Sequence, residues 1–179
     1  MFEKPYVTDV QIFRTRIREH IGAGLRTRGY RAGRDTVLTL LNDALATATI
    51  CMLSYQRYQP FAHGIYAAQI ADQFVSRANE LQGHVDRIAA RIVELSGKPD
   101  LLPDRHLSRS FEENMIGKSL IDLIKDDMIA QCITVDSYKD IIEYLNDRDP
   151  ATRSMMVAIL AAEEKYGAAL AELLEGMPP

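Results

Sequence analysis

Residues 119–145 read SLIDLIKDDMIAQCITVDSYKDIIEYL. Apolar side chains recur along this stretch in steps of three and four, the spacing of one face of an α-helix. The positions on this face are Ile121, Ile124, Met128, Gln131, Val135, Tyr138, Ile142 and Leu145. Ser119 and Asp122 resemble a capping box at its start. The stretch predicts a long amphipathic helix that carries one amide, Gln131, in its apolar face.

Three further segments show the same periodicity. Asp149 and Pro150 predict the start of a helix that ends near Glu175. A helix over Asp35–Gln59 is predicted to end before Pro60, and another over Ala67–Ser96 is predicted to end at Gly97 and Pro99. Their faces comprise Leu38, Leu41, Leu45, Ala48, Met52 and Tyr55; Phe74, Ala78, Leu81, Val85, Ile88, Ile92 and Leu95; and Thr152, Met156, Ile159, Glu163, Tyr166, Leu170 and Leu173. No segment alternates with a period of two, so the predicted class is all-α.

The connections predict the topology. Short loops join the first two helices and the last two, as in antiparallel hairpins, whereas residues 97–118 form a long connection. Two hairpins with one long crossover are typical of a ferritin-like four-helix bundle.

Composition indicates a folded protein in a reducing cytoplasm. The 179 residues are 47% hydrophobic and 26% charged, with two cysteines. We find no apolar run near the roughly 18 residues of a membrane span, so we expect no membrane association.

The first 34 residues differ in charge from the rest. They hold eight Lys and Arg against three Asp and Glu, whereas residues 35–179 hold thirteen against twenty-two. We predict an N-terminal region over 1–34 and a bundle over 35–179. Apolar residues at helical spacing favour a docked amphipathic helix, followed by a connection rich in glycine, over a DNA-binding arm. The apolar residues are Val10, Phe13, Ile17 and Ile21; the glycines are Gly22, Gly24, Gly29 and Gly33; and the arginines that could bind DNA stand at 14, 16, 18, 26, 28, 31 and 34.

Polar residues within the apolar faces are candidate functional residues. Gln131, Glu163 and His84 all lie near the middle of their helices. Di-iron carboxylate bundles place metal ligands there: a Glu from each of two helices and a Glu-x-x-His from each of the other two. Residues 81–84 and 163–166 have the spacing of the two Glu-x-x-His motifs. Ala48 and Gln131 stand in the single-Glu positions, each seven residues before a tyrosine, and the intervals of 33 and 32 residues agree between the two halves.

The segment from Asp35 to Leu174 resembles the ferritin, bacterioferritin and Dps-like superfamily. The similarity lies in Leu41-Asn42-Asp43-Ala44-Leu45-Ala46-Thr47, in residues 82–89 and in Asp136-Ser137-Tyr138. It implies a cage-forming protein of iron storage or detoxification that oxidises ferrous iron at a di-iron centre. The six ligand positions implied are Ala48, Leu81, His84, Gln131, Glu163 and Tyr166, of which His84 and Glu163 keep ligand side chains. Gln82 stands where bacterioferritin has its haem-ligating methionine, so we expect no haem.

Three functional hypotheses follow. One remaining carboxylate cannot offset two ferrous ions, so we expect no ferroxidase and no cofactor in the core, with iron present only as stored mineral or at a weak site formed by His84 and Glu163. We favour a non-catalytic cage subunit, either a homo-oligomer or co-assembled with an active paralogue. The alternatives are a Dps-like DNA-binding protein and an oxidase with a rebuilt site at Glu80, His84, Glu163 and Glu164. We expect those two extra glutamates to be surface charges.

Overall fold

The structure is a computed structural model that describes residues 14, 15, 18, 32–58, 67–101 and 120–176. Four long helices contain most of these residues, and the described residues include no β-strand. The helices are α1 Ala32–Tyr58, α2 Ala67–Glu94, α3 Leu120–Leu145 and α4 Pro150–Glu175. The all-α prediction is confirmed, and each helix begins and ends within three residues of its predicted limits.

The chain divides into two compact units. One comprises residues 1–40 and 105–179 and contains α3 and α4, and the other comprises residues 41–104 and contains most of α1 and all of α2. The division falls within α1, near its start. The predicted domain limits of 1–34 and 35–179 remain a prediction.

Helices α1 and α2 form an antiparallel hairpin. The rings of Tyr55, near the end of α1, and Phe74, near the start of α2, have centroids 5.8 Å apart. Eleven residues into α1, the Asn42 side-chain oxygen accepts a hydrogen bond of 2.8 Å from the backbone N–H of Asp100. This part of α1 therefore lies beside the segment that follows α2.

The middle of α1 is buried over most of its circumference. Leu40, Leu41, Ala44 and Leu45 are fully buried. Buried hydroxyl groups on this helix donate to the carbonyl four residues earlier, so they lose no hydrogen bonds. These pairs are Thr47 to Asp43, Thr49 to Leu45 and Ser54 to Ile50.

The composition of α1 contradicts the expectation that no segment is apolar enough to span a membrane. The segment Gly33–Arg57 has a window of mean hydropathy 1.5 and is long and apolar enough to cross a membrane by length and composition. In this structure 56% of that window is buried. Because core helices pass the same test, this is weak evidence for a membrane span.

Helix α2 ends differently from the prediction. Ser96, not Gly97, adopts the left-handed conformation, with φ of 58°. The N–H of Gly97 donates to the carbonyl of Ile92 at 2.8 Å, and that of Ser96 donates to Val93 at 2.8 Å. These bonds cap the last carbonyls of the helix, as in a Schellman motif.

Helices α3 and α4 pack against each other. Asp149 caps α4 as predicted, because one carboxylate oxygen accepts from the backbone N–H of Thr152 at 3.0 Å and the other accepts from the Thr152 hydroxyl. The buried residues of α4 are Thr152, Met156, Ile159, Glu163 and Leu170, all on the predicted face. The buried surface of α3 is wider than predicted. It adds a second line of Ala130, Thr134, Ser137, Ile141 and Tyr144.

The basic N-terminal segment is described at three residues, all helical: Arg14, Thr15 and Arg18. Arg14 forms an ion pair of 3.0 Å with Asp136, and Arg18 forms one of 3.0 Å with Asp140. The two arginines are four residues apart, and so are the two aspartates with which they pair. This helical turn therefore lies along α3. The apolar positions predicted for this helix, the glycines at 22, 24 and 29, and Ser119 lie outside the described residues. Gly33 lies within α1 instead of the predicted connection.

Candidate metal centre

A buried carboxylate and a buried amide face each other between α3 and α4. Glu163 is 1% exposed and Gln131 is 6% exposed. The Gln131 side-chain nitrogen donates to Oε2 of Glu163 at 2.7 Å and to the Glu163 backbone carbonyl at 2.9 Å. One amide group thus binds both the side chain and the backbone of Glu163.

A second polar pair lies one helical turn away. The Tyr166 hydroxyl donates to Oδ2 of Asp127 at 3.0 Å, and both side chains are half-buried. Asp127 precedes Gln131 by four residues and Tyr166 follows Glu163 by three. In an antiparallel helix pair, the two hydrogen-bonded pairs are therefore one helical turn apart along the interface of α3 and α4. The sequence reasoning missed Asp127. Its position one turn before Gln131 is the signal that could have identified it.

The other three positions lie in the α1–α2 unit and are buried without carboxylates. Ala48 and Leu81 are 1% and 2% exposed, and neither side chain carries a ligand atom. His84 is 1% exposed. This hairpin therefore offers one imidazole from the three positions predicted by the resemblance.

These residues do not fit a pair of iron ions. Hard and borderline cations such as ferrous iron need anionic or neutral oxygen and nitrogen ligands that point lone pairs at the metal. At Gln131 the atoms that face Glu163 are N–H donors, which cannot bind a cation. Among the residues that the structure describes, no group of three His, Cys, Asp or Glu is placed to hold a metal ion.

The rebuilt site is not supported by the positions of its two extra glutamates. Glu80 forms an ion pair of 2.8 Å with Arg77, and Glu164 forms one of 2.8 Å with Lys139. The two Glu side chains are 44% and 49% exposed, as expected for surface charges. The hydrogen bond from Lys139 to Glu164 raises the pKa of the lysine above its usual value. Both carboxylates are therefore engaged by cations.

The structure also contains a buried cation that the sequence reasoning did not single out. The side chain of Arg77 is only 2% exposed. It lies three residues after Phe74 and four before Leu81, which are both buried. This spacing along the apolar face of α2 is the signal that could have identified it.

Other predictions about this region have mixed outcomes. The Gln82 side chain is exposed and donates to Asp86 at 2.8 Å, and the absence of haem remains a prediction. Free cysteines are mostly small core residues, but Cys132 is exposed and Cys51 is half-buried.

The sequence matches the ferritin-like domain family over residues 38–178. No curated protein matches it. Among solved structures, a ferritin-like, diiron-carboxylate protein from Bacillus anthracis str. Ames is 19% identical with a TM-score of 0.68, covering 79% of this chain and 97% of that chain.

Two further structures share the fold. The Desulfovibrio desulfuricans bacterioferritin, whose di-iron site has been described in different catalytic states, is 16% identical with a TM-score of 0.72 and covers 83% of this chain and 84% of that chain. A dodecameric thioferritin from Bacteroides fragilis is 22% identical with a TM-score of 0.67 and covers 88% and 93%. These likenesses confirm the predicted ferritin-like fold. Because the family match covers most of its length, the chain belongs to the ferritin-like family.

Proposed function

We propose that this chain is a cage subunit for iron storage or iron homeostasis that has no ferroxidase centre of its own. The observation that carries this proposal is the hydrogen bond of 2.7 Å from the Gln131 amide to the Glu163 carboxylate. Glu163 is the one carboxylate left at the six positions. The amide group that faces this carboxylate donates a hydrogen bond and brings no negative charge, so the pair supplies one anionic group where two ferrous ions would need several.

The charge balance supports the same conclusion. Two ferrous ions bring four positive charges, and dehydrating them requires several anionic ligands. Ala48, Leu81 and Gln131 supply no negative charge. The Tyr166 hydroxyl donates to Asp127, so this phenol is engaged in a hydrogen bond with a carboxylate at 3.0 Å. The polar residues of the α3–α4 hairpin are therefore suited to hydrogen bonding within the protein.

The direct test is oxidation of ferrous iron. Aerobic stopped-flow mixing of ferrous iron with the purified protein is expected to give the rate of the protein-free solution. Anaerobic equilibrium dialysis against ferrous salt is expected to leave no tightly bound iron pair. A saturable rate above the protein-free control, with two ferrous ions bound per chain, would refute the proposal.

The assembly is the second part of the proposal. The thioferritin that shares this fold is a dodecamer. A subunit without its own ferroxidase centre can form such a cage either from identical copies or together with an active paralogue. We favour co-assembly, because mineral formation needs ferric iron and a paralogue would supply the oxidation. Native mass spectrometry of the protein purified from its source, with metal analysis of the same sample, tests this. A cage of one subunit mass that contains mineral would contradict co-assembly.

The ion pairs of the N-terminal segment bear on DNA binding. Arg14 and Arg18 pair with Asp136 and Asp140, which supports docking on α3 over a free DNA-binding arm. We therefore expect no retardation of duplex DNA at physiological salt. Retardation that weakens steeply as salt increases would instead favour the Dps-like hypothesis.

A further inference from the structure

The N-terminal segment and α3 meet through two charges of each sign. Nη2 of Arg14 lies 3.0 Å from Oδ2 of Asp136, and Nε of Arg18 donates to Oδ2 of Asp140 at 3.0 Å. Both arginines are helical and four residues apart, so they lie on the same side of their helix. The two aspartates are four residues apart on α3, so the charges match in spacing as well as in sign. All four residues belong to the compact unit that contains α3 and α4.

The nearest cation of α3 itself is paired elsewhere. Lys139 stands between Asp136 and Asp140 in the sequence, but its ammonium group pairs with Glu164 of α4 at 2.8 Å. The carboxylates of Asp136 and Asp140, which we call the acidic edge of α3, are paired instead with arginines of the N-terminal segment.

Both ion pairs lie where salt can reach them. The side chains of Arg14 and Asp136 are 27% and 48% exposed, and those of Arg18 and Asp140 are 57% and 27% exposed. Ion pairs with this exposure are screened by salt, and each is expected to change a docking equilibrium by no more than about five-fold. A contact that depends on them is therefore reversible.

We propose that the acidic edge of α3 is a docking surface for a basic helix whose arginines are four residues apart, and that its occupant is the N-terminal segment of the same chain. The two ion pairs hold this segment on α3 at low ionic strength, and the segment is released as ionic strength rises. The first 34 residues hold eight Lys and Arg against three Asp and Glu. In the docked state, two of these cations are neutralised by carboxylates of the bundle. This inference does not depend on the absence of a ferroxidase centre.

Hydrogen exchange measures how often the segment leaves α3. Exchange of the backbone amides is followed by mass spectrometry of peptic peptides that contain Arg14, Thr15 and Arg18. Raising the salt concentration from about 0.05 M to about 0.5 M is expected to increase their exchange rate in the wild type about five-fold. R14Q/R18Q is expected to exchange about tenfold faster than the wild type at low salt and to lose the response to salt.

A matched control removes the same charge from another surface. R153Q/K165Q replaces two exposed cations of α4 and changes the net charge as R14Q/R18Q does. It is expected to leave the exchange of the N-terminal peptides unchanged. Faster exchange in this control, equal to that of R14Q/R18Q, would show that net charge and not the acidic edge is responsible, and it would overturn the proposal.

Exchanging the charges tests the pairing itself. R14D/R18D and D136R/D140R each place like charges opposite each other, so each is expected to release the segment. The four substitutions together restore opposite charges, and we expect their exchange rate to return close to that of the wild type. Because the combined variant contains every substitution of the other two, this recovery can come only from the restored pairing.

Two further outcomes would overturn the proposal. One is a combined variant that exchanges as fast as R14D/R18D, and the other is an exchange rate in the wild type that does not respond to salt. Mixing R14D/R18D with D136R/D140R tests whether the occupant comes from the same chain. We expect no slowing of exchange on mixing, whereas slowing would show that the segment docks on a second copy and would refute the occupant that we assign. Each of these results leaves the proposed function intact, because none of them concerns iron.

Discussion

The two hairpins fill equivalent positions by different chemistry. In the α1–α2 hairpin the single-Glu position and the first Glu-x-x-His position are Ala48 and Leu81, which are both buried and apolar. In the α3–α4 hairpin the equivalent positions are Gln131 and Glu163, whose side chains bond to each other at 2.7 Å. A buried site without ligand function can thus be stabilised by apolar packing or by a satisfied polar pair.

The largest expected effect comes from breaking the polar pair. Gln131→Leu leaves the buried Glu163 carboxylate without its amide donor, and we expect a loss of about 4 kcal/mol in the free energy of unfolding. Urea denaturation measures it. The double variant Q131L/E163L makes this hairpin apolar like the other, and we expect it to recover most of the loss. A double variant as unstable as Q131L would show that the pair is not the source of the effect.

The apolar packing of the α1–α2 hairpin is tested by a substitution that creates a cavity. Leu81→Ala removes a side chain that is 2% exposed, and we expect a loss of about 3 kcal/mol. Leu101→Ala is the control, because Leu101 is 52% exposed and its truncation is expected to cost less than about 0.5 kcal/mol. Similar losses for the two variants in urea denaturation would contradict the assignment of Leu81 to the core.

The hydrogen bond between Tyr166 and Asp127 in the α3–α4 hairpin is expected to contribute less to the free energy of unfolding. Tyr166→Phe removes the hydrogen bond of 3.0 Å to Asp127, and we expect a loss of about 1 kcal/mol because both side chains are half-buried. Asp127→Asn keeps an oxygen acceptor for the Tyr166 hydroxyl and is expected to lose less. Urea denaturation measures the free energy of unfolding of both variants. If Tyr166→Phe is as stable as the wild type, this hydrogen bond does not contribute to stability.

The smallest effect concerns how the two hairpins end their helices. Ser96 has a positive φ at the end of α2, whereas Gly176, at the end of α4, has φ of −81° and ψ of −7°, which any residue can adopt. Ser96→Gly is expected to stabilise the protein by only about 0.5 kcal/mol, because relief of the left-handed conformation is partly offset by the larger backbone entropy that glycine loses on folding.

Gly176→Ala is the matched variant at the end of α4, where it removes a glycine instead of introducing one. A Cβ at this position would meet its nearest neighbour, the carbonyl oxygen of Glu172, at 3.6 Å, which is an ordinary contact. We expect it to be neutral or to stabilise by about 0.5 kcal/mol. Thermal unfolding measures both variants. A lower melting temperature for Ser96→Gly would show that the hydroxyl group has a role that outweighs the strain.

Sequence reasoning predicted the helices and most of their buried positions well, because these depend on local patterns. Asp149 caps α4 as its place before Pro150 indicated, and Glu163 is buried as its place in the apolar face indicated. The same reasoning assigned the α2 end to Gly97 when Ser96 takes the left-handed conformation. A preference for glycine is a tendency of about 1 kcal/mol, which the hydrogen bonds of the helix end can outweigh.

Pairing between helices was harder to predict than burial. The sequence placed Glu163 and Gln131 in the apolar faces of their helices, but it did not indicate that the amide would donate to both the side chain and the backbone of Glu163. It also did not identify Asp127 as the acceptor for Tyr166. These contacts depend on how far one helix is shifted and rotated against the other, which no single helix encodes.

By itself, the sequence determined four helices, their limits to within three residues and one face that each of them buries, because the period of 3.6 residues and the capping residues act locally. Only the tertiary structure decided which polar side chains on those faces meet. It brought Gln131 to Glu163 and Tyr166 to Asp127, and it buried Arg77 while leaving Arg91 partly exposed. The physical reason is that hydrogen bonds and ion pairs are short-ranged and directional, so they form only after packing has set the positions of the helices.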